Sequence, residues 1–427
     1  MERLQSLRGM RDLLPGETPR WRLVEETVRE LFDSWAYEEI RLPLLEPTTL
    51  FARATGATSD IVEKQMYSFG DRDGESITLR PEGTAGCVRA LIENGLIRQP
   101  QRLWYSGAMF RHERPQKGRY REFTQFGAEA LGYAGPDVDV ELMQMMAALW
   151  QRLGIAEHVQ LELNSIGDAA DRVRYRQVLV DYFTAHRAGL DEDSRRRLEH
   201  NPLRILDSKE PGTQAIVTDA PRMGEFLGEP ARQHFARLQE LLAGLNIECV
   251  LNDRLVRGLD YYNRTVFEWT TRRLGAQGTI CAGGRYDALV EMLGGPPTPA
   301  AGFGIGLDRV VLLFDEIHQT PARAPVDVYC IIGENADQAA AMRICQSLRV
   351  ALPALRLRVN QGGGKLKAQF RRADASGAAA AVVLAEDEMA SGTVTLKWLR
   401  VDAPQERLGL DAAVARLAAS ASHVRRD

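Results

Sequence analysis

The chain has 427 residues, of which 44% are hydrophobic and 26% charged, and its formal net charge is −4. This length supports two or three domains, and the slightly negative charge restricts any nucleic-acid surface to local basic patches. The five cysteines are scattered and have no Cys-x-x-Cys spacing, and the seven histidines are not clustered. This distribution argues against a zinc site or a disulfide framework. We find no apolar signal segment and no apolar run of the roughly 20 residues that a membrane helix needs, so we expect a cytoplasmic protein without membrane contact.

A helix followed by a short strand is predicted near the N-terminus. Thr18 and Pro19 are residue types typical of an N-cap and a first helical position. The apolar residues that then recur at helical spacing are Trp21, Val24, Val28, Leu31 and Trp35. Tyr37–Leu44 alternates with a period of two, and Pro43 within it predicts an edge strand or a bulge. An ordinary amphipathic helix and strand would give the same pattern.

A glycine-containing turn follows the next predicted strand, Ser76–Leu79. Proline ends this strand within Arg80–Gly86, and Gly83 lets the backbone approach a ligand closely. Glu82 lies where the strand turns into a helix. Two interpretations are open for this carboxylate: it accepts hydrogen bonds from free amides at the helix start, or it binds the ammonium group of a ligand.

Two predicted strands joined by a basic loop make up Arg102–Leu131. Positions 102 to 121 hold six Arg or Lys residues and one Glu, which indicates an anionic partner. Alternation places Phe123, Gln125 and Glu129 on the same face of the second strand, an unusual set to bury without a ligand. A solvated hairpin tip would also explain the charge, but Arg111 at the end of the first strand faces this polar face and favours a function.

The region from Asp168 to Leu245 has helical periodicity and interrupts a strand-rich part of the chain. We predict an inserted helical subdomain here, preceded by a core helix over Asp137–Leu153. The basic run Arg195–Arg197 within the insertion is either a solvated helix face or a contact to an RNA backbone.

Two segments after the insertion combine charge, glycine and tyrosine in a way that a core does not explain. The first is Leu255–Thr265, and the second, Ala282–Asp287, is predicted to be a glycine-rich turn. Ala300–Phe314 is then predicted to be a glycine-rich strand leading into a helix, with an Asp-Arg pair at the helix start.

The prolines of His318–Pro325 predict a linker. Strands and helices alternate after it, which indicates a separate small α/β domain over residues 326–427. Arg356–Arg372 contains six basic residues and no acidic one. An RNA phosphate surface and a merely soluble helix face both fit this charge.

In combination, these segments resemble the motifs of one family. The hairpin and the N-terminal helix and strand resemble motifs 2 and 1 of the class II aminoacyl-tRNA synthetases, and motif 1 of that class lies at a dimer interface. Leu255–Tyr262 and Ala282–Asp287 resemble the two signatures of the histidyl-tRNA synthetase family. The similarity covers nearly the whole chain, since it extends to Arg8–Asp12, Arg80–Gly86 and the motif 3-like Gly302–Arg309.

This resemblance has two visible departures. Thr124 stands where many family members have His, and Asp308 stands where Glu is common. Thr124 is on the core-facing side of its strand by alternation, and Asp308 keeps the charge, so we expect little consequence.

The resemblance implies an α+β fold, in which helices flank the antiparallel sheet of a class II synthetase. Residues 1–325 would form the catalytic domain with a helical insertion over 168–245, and residues 326–427 an α/β anticodon-binding domain. The implied function is ATP-dependent activation of L-histidine to histidyl-adenylate and transfer of histidine to the 3′ end of tRNA(His). The implied partners are L-histidine, ATP with Mg²⁺ on its phosphates, tRNA(His) and a second copy of the chain.

The resemblance also implies roles for individual residues, with no metal held by the protein alone. The catalytic residues would be Arg257, Arg111 and Arg309. Those implied to bind histidine are Glu82, Thr84, Gln125, Glu129, Tyr261 and Tyr262. Those implied to bind ATP are Arg111, Glu113, Arg119, Phe123 and Arg309. Gln116 in the motif 2 loop would lie near the tRNA.

Two rival functions are a non-catalytic paralogue that regulates histidine biosynthesis and a general RNA-binding module. The paralogue would lack the C-terminal domain and catalytic side chains, yet Arg257, Arg309 and Glu82 are all present. The RNA-binding module is disfavoured because phosphate binding has no need for Glu82 or Glu129.

Overall fold

The computed structural model describes residues 3–56, 59–206, 208, 210–319 and 324–424. The chain separates into two compact units, Met1–Thr320 and Pro321–Asp427. Most of the predicted linker lies at this division, and its residues 320–323 are outside the described part of the chain. Within the described ranges, no helix has both the length and the apolar character needed to cross a membrane.

A large sheet forms the centre of the first unit. The strands of this unit are β1 (Glu38–Glu39), β2 (Leu45–Pro47), β3 (Tyr67–Gly70), β4 (Ser76–Leu79), β5 (Gln101–Phe110), β6 (Glu122–Leu131), β7 (Gln160–Ser165), β8 (Cys249–Leu251), β9 (Asn263–Thr270), β10 (Thr279–Arg285) and β11 (Ala300–Gly306). Eight of them follow the order β1-β5-β6-β11-β10-β9-β7-β8, and β2-β4-β3 form a separate sheet. The central strands pair antiparallel, whereas β1 and β8 pair parallel at the two edges.

Helices cover both faces of this sheet. The α-helices are α1 (Thr18–Ser34), α2 (Thr48–Thr55), α3 (Thr84–Glu93), α4 (Pro136–Arg152), α5 (Ala169–Ala185), α6 (Glu192–His200), α7 (Pro211–Thr218), α8 (Glu229–Gly244), α9 (Leu289–Met292) and α10 (Leu307–His318). One core joins the sheet to α1, α4, α8 and α10, and a second joins the other face to α2, α3 and α9. Phe126, Ala128 and Ala130 of β6 lie in the first core, as their alternation predicted. The mixed α+β architecture predicted from the sequence is therefore confirmed.

The N-terminal helix has the predicted apolar face, but its N-cap is Glu17 rather than Thr18, and the strand after it differs from the prediction. Trp21, Val24 and their helical neighbours on α1 are buried in the first core. The strand predicted over Tyr37–Leu44 is wrong, because β1 is restricted to Glu38–Glu39. Pro43 has no amide hydrogen to donate, and the buried Arg80 guanidinium takes the carbonyls of this segment instead, at 3.0 Å for Leu42.

The glycine-rich segment Ala282–Asp287 was predicted to be a turn, and that prediction is wrong. Its first four residues end strand β10, which pairs with β9 and β11. A Cβ atom on Gly283 or Gly284 would collide with a carbonyl oxygen of a neighbouring strand. These glycines therefore permit close strand packing rather than chain reversal.

Only helices and connecting turns occur in the described residues between Asp168 and Leu245. Helices α5 to α7 and the start of α8 enclose a separate small core, which includes Tyr175, Leu179 and Phe183. The end of α8 belongs elsewhere, because Leu238 and Leu242 are buried in the core of the main sheet. Helix α8 therefore connects the insertion to the sheet.

The second unit has its own sheet and core. Its elements are β12 (Val328–Ile332), α11 (Gln338–Ala351), β13 (Leu357–Val359), α12 (Leu366–Ala375), β14 (Ala380–Leu384), α13 (Glu386–Ser391), β15 (Thr393–Trp398), β16 (Glu406–Gly409) and α14 (Leu410–Val424). The strand order is β13-β12-β14-β15-β16, parallel among the first three and antiparallel beyond them. The predicted α/β alternation thus forms a single sheet.

Candidate active site

A pocket of about 390 Å³ lies over the sheet, lined by β6, β9, β10 and β11 and by the first turns of α3 and α10. The predicted site residues that line it are Glu82, Thr84, Arg111, Glu113, Arg119, Phe123, Gln125, Arg257, Tyr261, Tyr262 and Arg309. The other two predicted residues, Glu129 and Gln116, are not among its lining side chains. Groups from distant parts of the chain thus converge on one cavity.

Backbone carbonyls hold two of the pocket arginines in place. The Nε of Arg111 donates to the carbonyl of Pro81 at 2.8 Å, and its guanidinium lies over the Phe123 ring at 5.3 Å. Arg309 donates to the carbonyls of Gly118 at 2.8 Å and Thr279 at 2.7 Å. Because these contacts fix the planes of both guanidinium groups, their remaining N–H groups point in defined directions.

Arg257 is held beside the pocket by an acidic and an aromatic side chain. One of its terminal nitrogens forms an ion pair with Glu268, and its guanidinium lies 5.6 Å from the Tyr262 ring centre. Burial acts to lower the pKa of Arg257, but Glu268, Tyr262 and Tyr261 together outweigh it, and the pKa is raised. The Nε atom of Arg257 is buried and has no hydrogen-bond partner among the described residues. This leaves a cationic donor without a partner beside the pocket.

Arg119 and Glu113 form a second ion pair at the pocket, within the loop that joins β5 to β6. Burial acts to raise the pKa of Glu113, whereas Arg119 and Arg111 more than offset it, so the pKa is lowered. The pocket therefore contains two carboxylates that pair with arginines, Glu113 and Glu268.

Glu82 accepts hydrogen bonds from the backbone amides of Thr84 at 2.6 Å and Ala85 at 3.0 Å. The helix-start interpretation of this carboxylate is therefore confirmed. Glu82 also lines the pocket, and burial raises its pKa. The helix fixes the side chain without hiding it from a ligand.

Glu129 is fully buried and accepts three hydroxyl donors. Thr84 donates to Oε1 at 2.8 Å, Tyr105 donates to the same oxygen at 2.9 Å, and Tyr286 donates to Oε2. Burial raises the pKa of Glu129 to about 8, against the opposing effect of these hydrogen bonds. Thr84 and Tyr105 both line the pocket, so Glu129 is linked to the cavity through their hydroxyl groups.

The remaining predicted histidine ligands lie on β6 and on the segment before β9. A Cβ atom on Gly304 would collide with the Gln125 amide, so this glycine makes room for the side chain. The rings of Tyr261 and Tyr262 lie 4.7 Å apart, and the ring of Tyr286 is 5.6 Å from that of Tyr261. These three tyrosines form an aromatic cluster beside the pocket.

Gln116 lies at the exposed tip of the loop between β5 and β6. Its backbone exchanges hydrogen bonds with Arg119 at 3.0 and 2.9 Å, which makes a tight turn. The structure thus places this side chain on the outside of the loop whose inner side lines the pocket.

Sequence reasoning missed several pocket residues. Glu268 lies in a strand whose alternation is equally typical of a solvent-facing side chain. Tyr105 lies in a mostly apolar strand and was not singled out. Tyr286 does not line the pocket but donates to Glu129, and its segment was predicted to be a turn. Asp308 was noted only as a departure, but its Oδ2 accepts the Thr124 backbone amide at 3.0 Å, and its side chain lines the pocket.

The antiparallel sheet with its pocket arginines, together with a separate C-terminal unit, defines the fold of a class II aminoacyl-tRNA synthetase. The model of the histidyl-tRNA synthetase family matches residues 9–310, and that of an anticodon binding domain matches residues 327–420. The chain belongs to the histidyl-tRNA synthetase family, as the motifs predicted.

Solved structures agree with this assignment. Apo histidyl-tRNA synthetase from S. aureus is 33% identical, with a TM-score of 0.79 over 97% of this chain and 100% of its own. Histidyl-tRNA synthetase from Nostoc sp. PCC 7120 is 18% identical, with a TM-score of 0.71 over 98% and 100% of the two chains. An "ATP phosphoribosyltransferase regulatory subunit/histidyl-tRNA synthetase" from Bacillus halodurans is 23% identical, with a TM-score of 0.63 over 88% and 97%. The latter two share the fold at identities too low to inform function.

Proposed function

We propose that this protein activates L-histidine with ATP to form histidyl-adenylate and then transfers the histidyl group to the 3′ end of tRNA(His). One observation carries the proposal: Arg111, Arg257 and Arg309 line the same pocket as Glu82 and Gln125. Cationic forks suit phosphates and a carboxylate, whereas a carboxylate and an amide suit an ammonium group.

The first step needs positioning and charge neutralisation more than a protein base. The carboxylate of histidine attacks the α-phosphorus of ATP, and pyrophosphate leaves on the opposite side. In our proposal Arg111 binds the α-phosphate, and Arg257 bridges that phosphate and the histidine carboxylate. Arg257 lines the pocket and its pKa is raised, which supports a cationic guanidinium where this phosphate would bind.

The adenine ring of ATP would stack between Phe123 and Arg309, which uses the aromatic and cation–π contacts of both side chains. Arg119 would bind the outer phosphates. Mg²⁺ supplies charge compensation to bound phosphates and needs one or two protein carboxylates besides them. The carboxylates of Glu113 and Glu268 fit that requirement, since both line the pocket. The described residues contain no group of three or more His, Cys, Asp or Glu side chains that could hold a metal ion.

Histidine recognition would use the other half of the pocket. Glu82, Gln125 and Thr84 would take the ammonium group, and Tyr262 with Glu129 would select the imidazole, with Tyr261 packing beside it. The hydroxyls of Thr84 and Tyr105 connect Glu129 to the cavity and give it a route to the substrate. An amino acid without matching ring nitrogens would leave such groups unpaired, which supports selection by about 10⁴-fold without editing.

The tRNA would meet two parts of the chain. Gln116, exposed on the loop between β5 and β6, would lie near the acceptor end of tRNA(His). The C-terminal unit would bind the anticodon, and the match of residues 327–420 to an anticodon binding domain supports this assignment. We propose residues 1–325 as the catalytic domain, with the insertion over 168–245, and residues 326–427 as the anticodon-binding domain.

A second candidate is a regulatory paralogue without catalysis, as the Bacillus halodurans protein is described to be in part. Such a protein would need no phosphate-binding arginines. The presence of Arg111, Arg257 and Arg309 in the pocket, and of a C-terminal unit, favours catalysis.

Histidine-dependent exchange of pyrophosphate into ATP tests the proposal directly. We expect exchange with L-histidine and none with the other amino acids, and its absence from folded protein would favour the regulatory candidate. Histidinol, which lacks the carboxylate nucleophile, serves as the matched negative substrate.

We also propose a homodimer formed through the region from Thr18 to Pro47. Leu44 and Leu45 are 47% and 43% exposed in the single chain, which is unusual for adjacent leucines. Light scattering should give twice the monomer mass, and a stable monomer at micromolar concentration would contradict this part of the proposal.

A further inference from the structure

The segment that carries Arg257 and the two pocket tyrosines has no regular secondary structure. Residues Leu255–Tyr262, called here the signature segment, form neither helix nor strand. The backbone amide of Asp260 has one long hydrogen bond, to the carbonyl of Thr55 at 3.4 Å. The placement of Arg257 and Tyr262 in the pocket must therefore depend on side chains that pack against this segment.

The helical insertion supplies these side chains. Arg172 of α5 donates to the carbonyl of Tyr262. The amide of Asn201, at the end of α6, donates to the Asp260 carboxylate at 3.2 Å. Arg204 lies directly against Gly258, because a Cβ atom on that glycine would be 2.6 Å from the Nη1 atom of Arg204. Three insertion residues thus contact three positions of the signature segment.

Arg204 is anchored on its other side by the body of the catalytic unit. Its Nη2 atom lies 2.7 Å from a carboxylate oxygen of Asp60, which also lies 3.5 Å from Arg197. Asp60 immediately precedes a short π-helix, Ile61–Gln65, whose last carbonyl accepts the His112 amide at 2.7 Å. His112 follows Arg111, so the same chain of contacts reaches both sides of the pocket.

We propose that Arg172 and Arg204 of the insertion are positioning residues for the active site. They hold the signature segment so that Arg257 and Tyr262 face the pocket, and neither arginine lines the cavity itself. This inference rests on the proposed function, since it assigns to the insertion a part in histidine activation even when no tRNA is bound. It also explains Gly258, where any side chain would displace the Arg204 guanidinium.

The test uses full-length protein in pyrophosphate exchange without tRNA, with thermal unfolding measured in parallel. Arg204→Ala should lower kcat/KM for histidine by about tenfold or more, the effect expected when residues in contact are uncoupled. The melting temperature should stay close to that of the wild type. Arg204→Lys, which keeps the charge facing Asp60, should recover part of the loss. Arg187→Ala is the matched control, because the side chain of this insertion arginine is exposed and pairs with the exposed Glu199 at 3.4 Å.

A double variant separates positioning from a general structural effect. The methyl group of Gly258→Ala should push Arg204 away, so this variant removes the same contact as Arg204→Ala. The double variant with Gly258→Ala and Arg204→Ala should therefore have a kcat/KM for histidine no lower than that of the more impaired single variant. The inference would be overturned if the losses in kcat/KM of the two single variants multiplied in the double variant. Normal exchange by Arg204→Ala would overturn it too, as would a lowered melting temperature with normal turnover of the folded fraction. If the wild type itself shows no histidine-dependent exchange, the proposed function fails first, and the two failures are thereby distinguished.

Discussion

At the scale of single residues, the most specific prediction concerns Arg257. Its proposed role needs simultaneous contacts to a carboxylate and a phosphate, which a planar guanidinium can make and a compact ammonium cannot. Arg257→Lys should therefore slow histidyl-adenylate formation by about 10²–10³, the usual cost of removing one donor that stabilises a transition state. Single-turnover adenylation measures this directly.

The control for this variant is Arg254→Lys, three residues earlier, where the arginine is exposed. Both variants should melt near the wild-type temperature, because each keeps its positive charge. Normal adenylation by well-folded Arg257→Lys protein would remove Arg257 from the catalytic machinery.

Glu129 makes stability depend on pH. Its folded-state pKa of about 8 lies above the ordinary value of 4.5. The folded protein therefore holds this proton more tightly than the unfolded chain, and the contribution of Glu129 to stability falls as pH rises between these two values. Glu129→Gln should abolish that part of the pH dependence while also raising the KM for histidine more than that for ATP.

Thermal unfolding of both proteins from pH 5 to pH 8.5 tests this titration. The wild type should lose more stability than the Gln variant across the range. Parallel profiles would show that Glu129 does not titrate there. An effect on the KM for ATP alone would instead place Glu129 outside the histidine site.

Single site residues could be predicted from the sequence where their neighbours in the chain indicate a binding function. Arg257 precedes a glycine, Arg309 follows an aspartate, and Arg111 opens a basic loop, and none of these settings is typical of an ordinary core. Glu268 and Tyr105 could not be predicted in the same way, because each becomes a pocket residue only through strands distant in sequence. A glutamate or a tyrosine within a strand is common in proteins and does not by itself indicate a binding site.

At the scale of elements, a buried ion pair joins the end of β10 to α4. Arg285 is 0% exposed and Asp139 is 1% exposed, and their closest atoms are 2.5 Å apart. Arg285 also donates to the carbonyls of Tyr133 at 3.0 Å and Gly135 at 2.8 Å. The pair fixes the end of β10, immediately before the tyrosine that donates to Glu129.

Removing Asp139 would leave the buried Arg285 with the partly exposed Asp287, at 3.1 Å, as its remaining carboxylate partner. Asp139→Asn should therefore lower the free energy of unfolding by about 3 kcal/mol, the lower end of the cost of breaking a buried ion pair, in urea titrations. Asp193→Asn, which breaks an exposed pair with Arg196, should change it by less than about 1 kcal/mol. Equal effects of the two substitutions would contradict the structural role assigned to the buried pair.

Elements were predictable where periodicity and burial coincide, as in α1, whose apolar stripe faces the sheet. They were not predictable where tertiary contacts replace local preference. The strand expected at Tyr37–Leu44 is cut short where Arg80 binds its carbonyls, and the glycine-rich segment before Asp287 is a strand because its neighbours pack so closely. Neither cause is visible in the local pattern.

At the scale of the whole molecule, the two units have separate cores. A fragment ending at Pro325 should therefore fold and keep most of the histidine-dependent pyrophosphate exchange, while its charging of tRNA(His) should fall sharply. Comparing the two activities of fragment and full chain checks the domain assignment. A folded fragment without exchange would show that the C-terminal unit is needed for adenylation.

The central proposal is that the pocket forms histidyl-adenylate from histidine and ATP and transfers the histidyl group to tRNA(His). The most direct measurement is charging of a tRNA(His) transcript with radiolabelled histidine by the purified full-length protein, with a tRNA of another specificity as control. We predict ATP-dependent formation of histidyl-tRNA(His) and no charging of the control tRNA. Folded protein that forms neither histidyl-adenylate nor histidyl-tRNA would contradict the account.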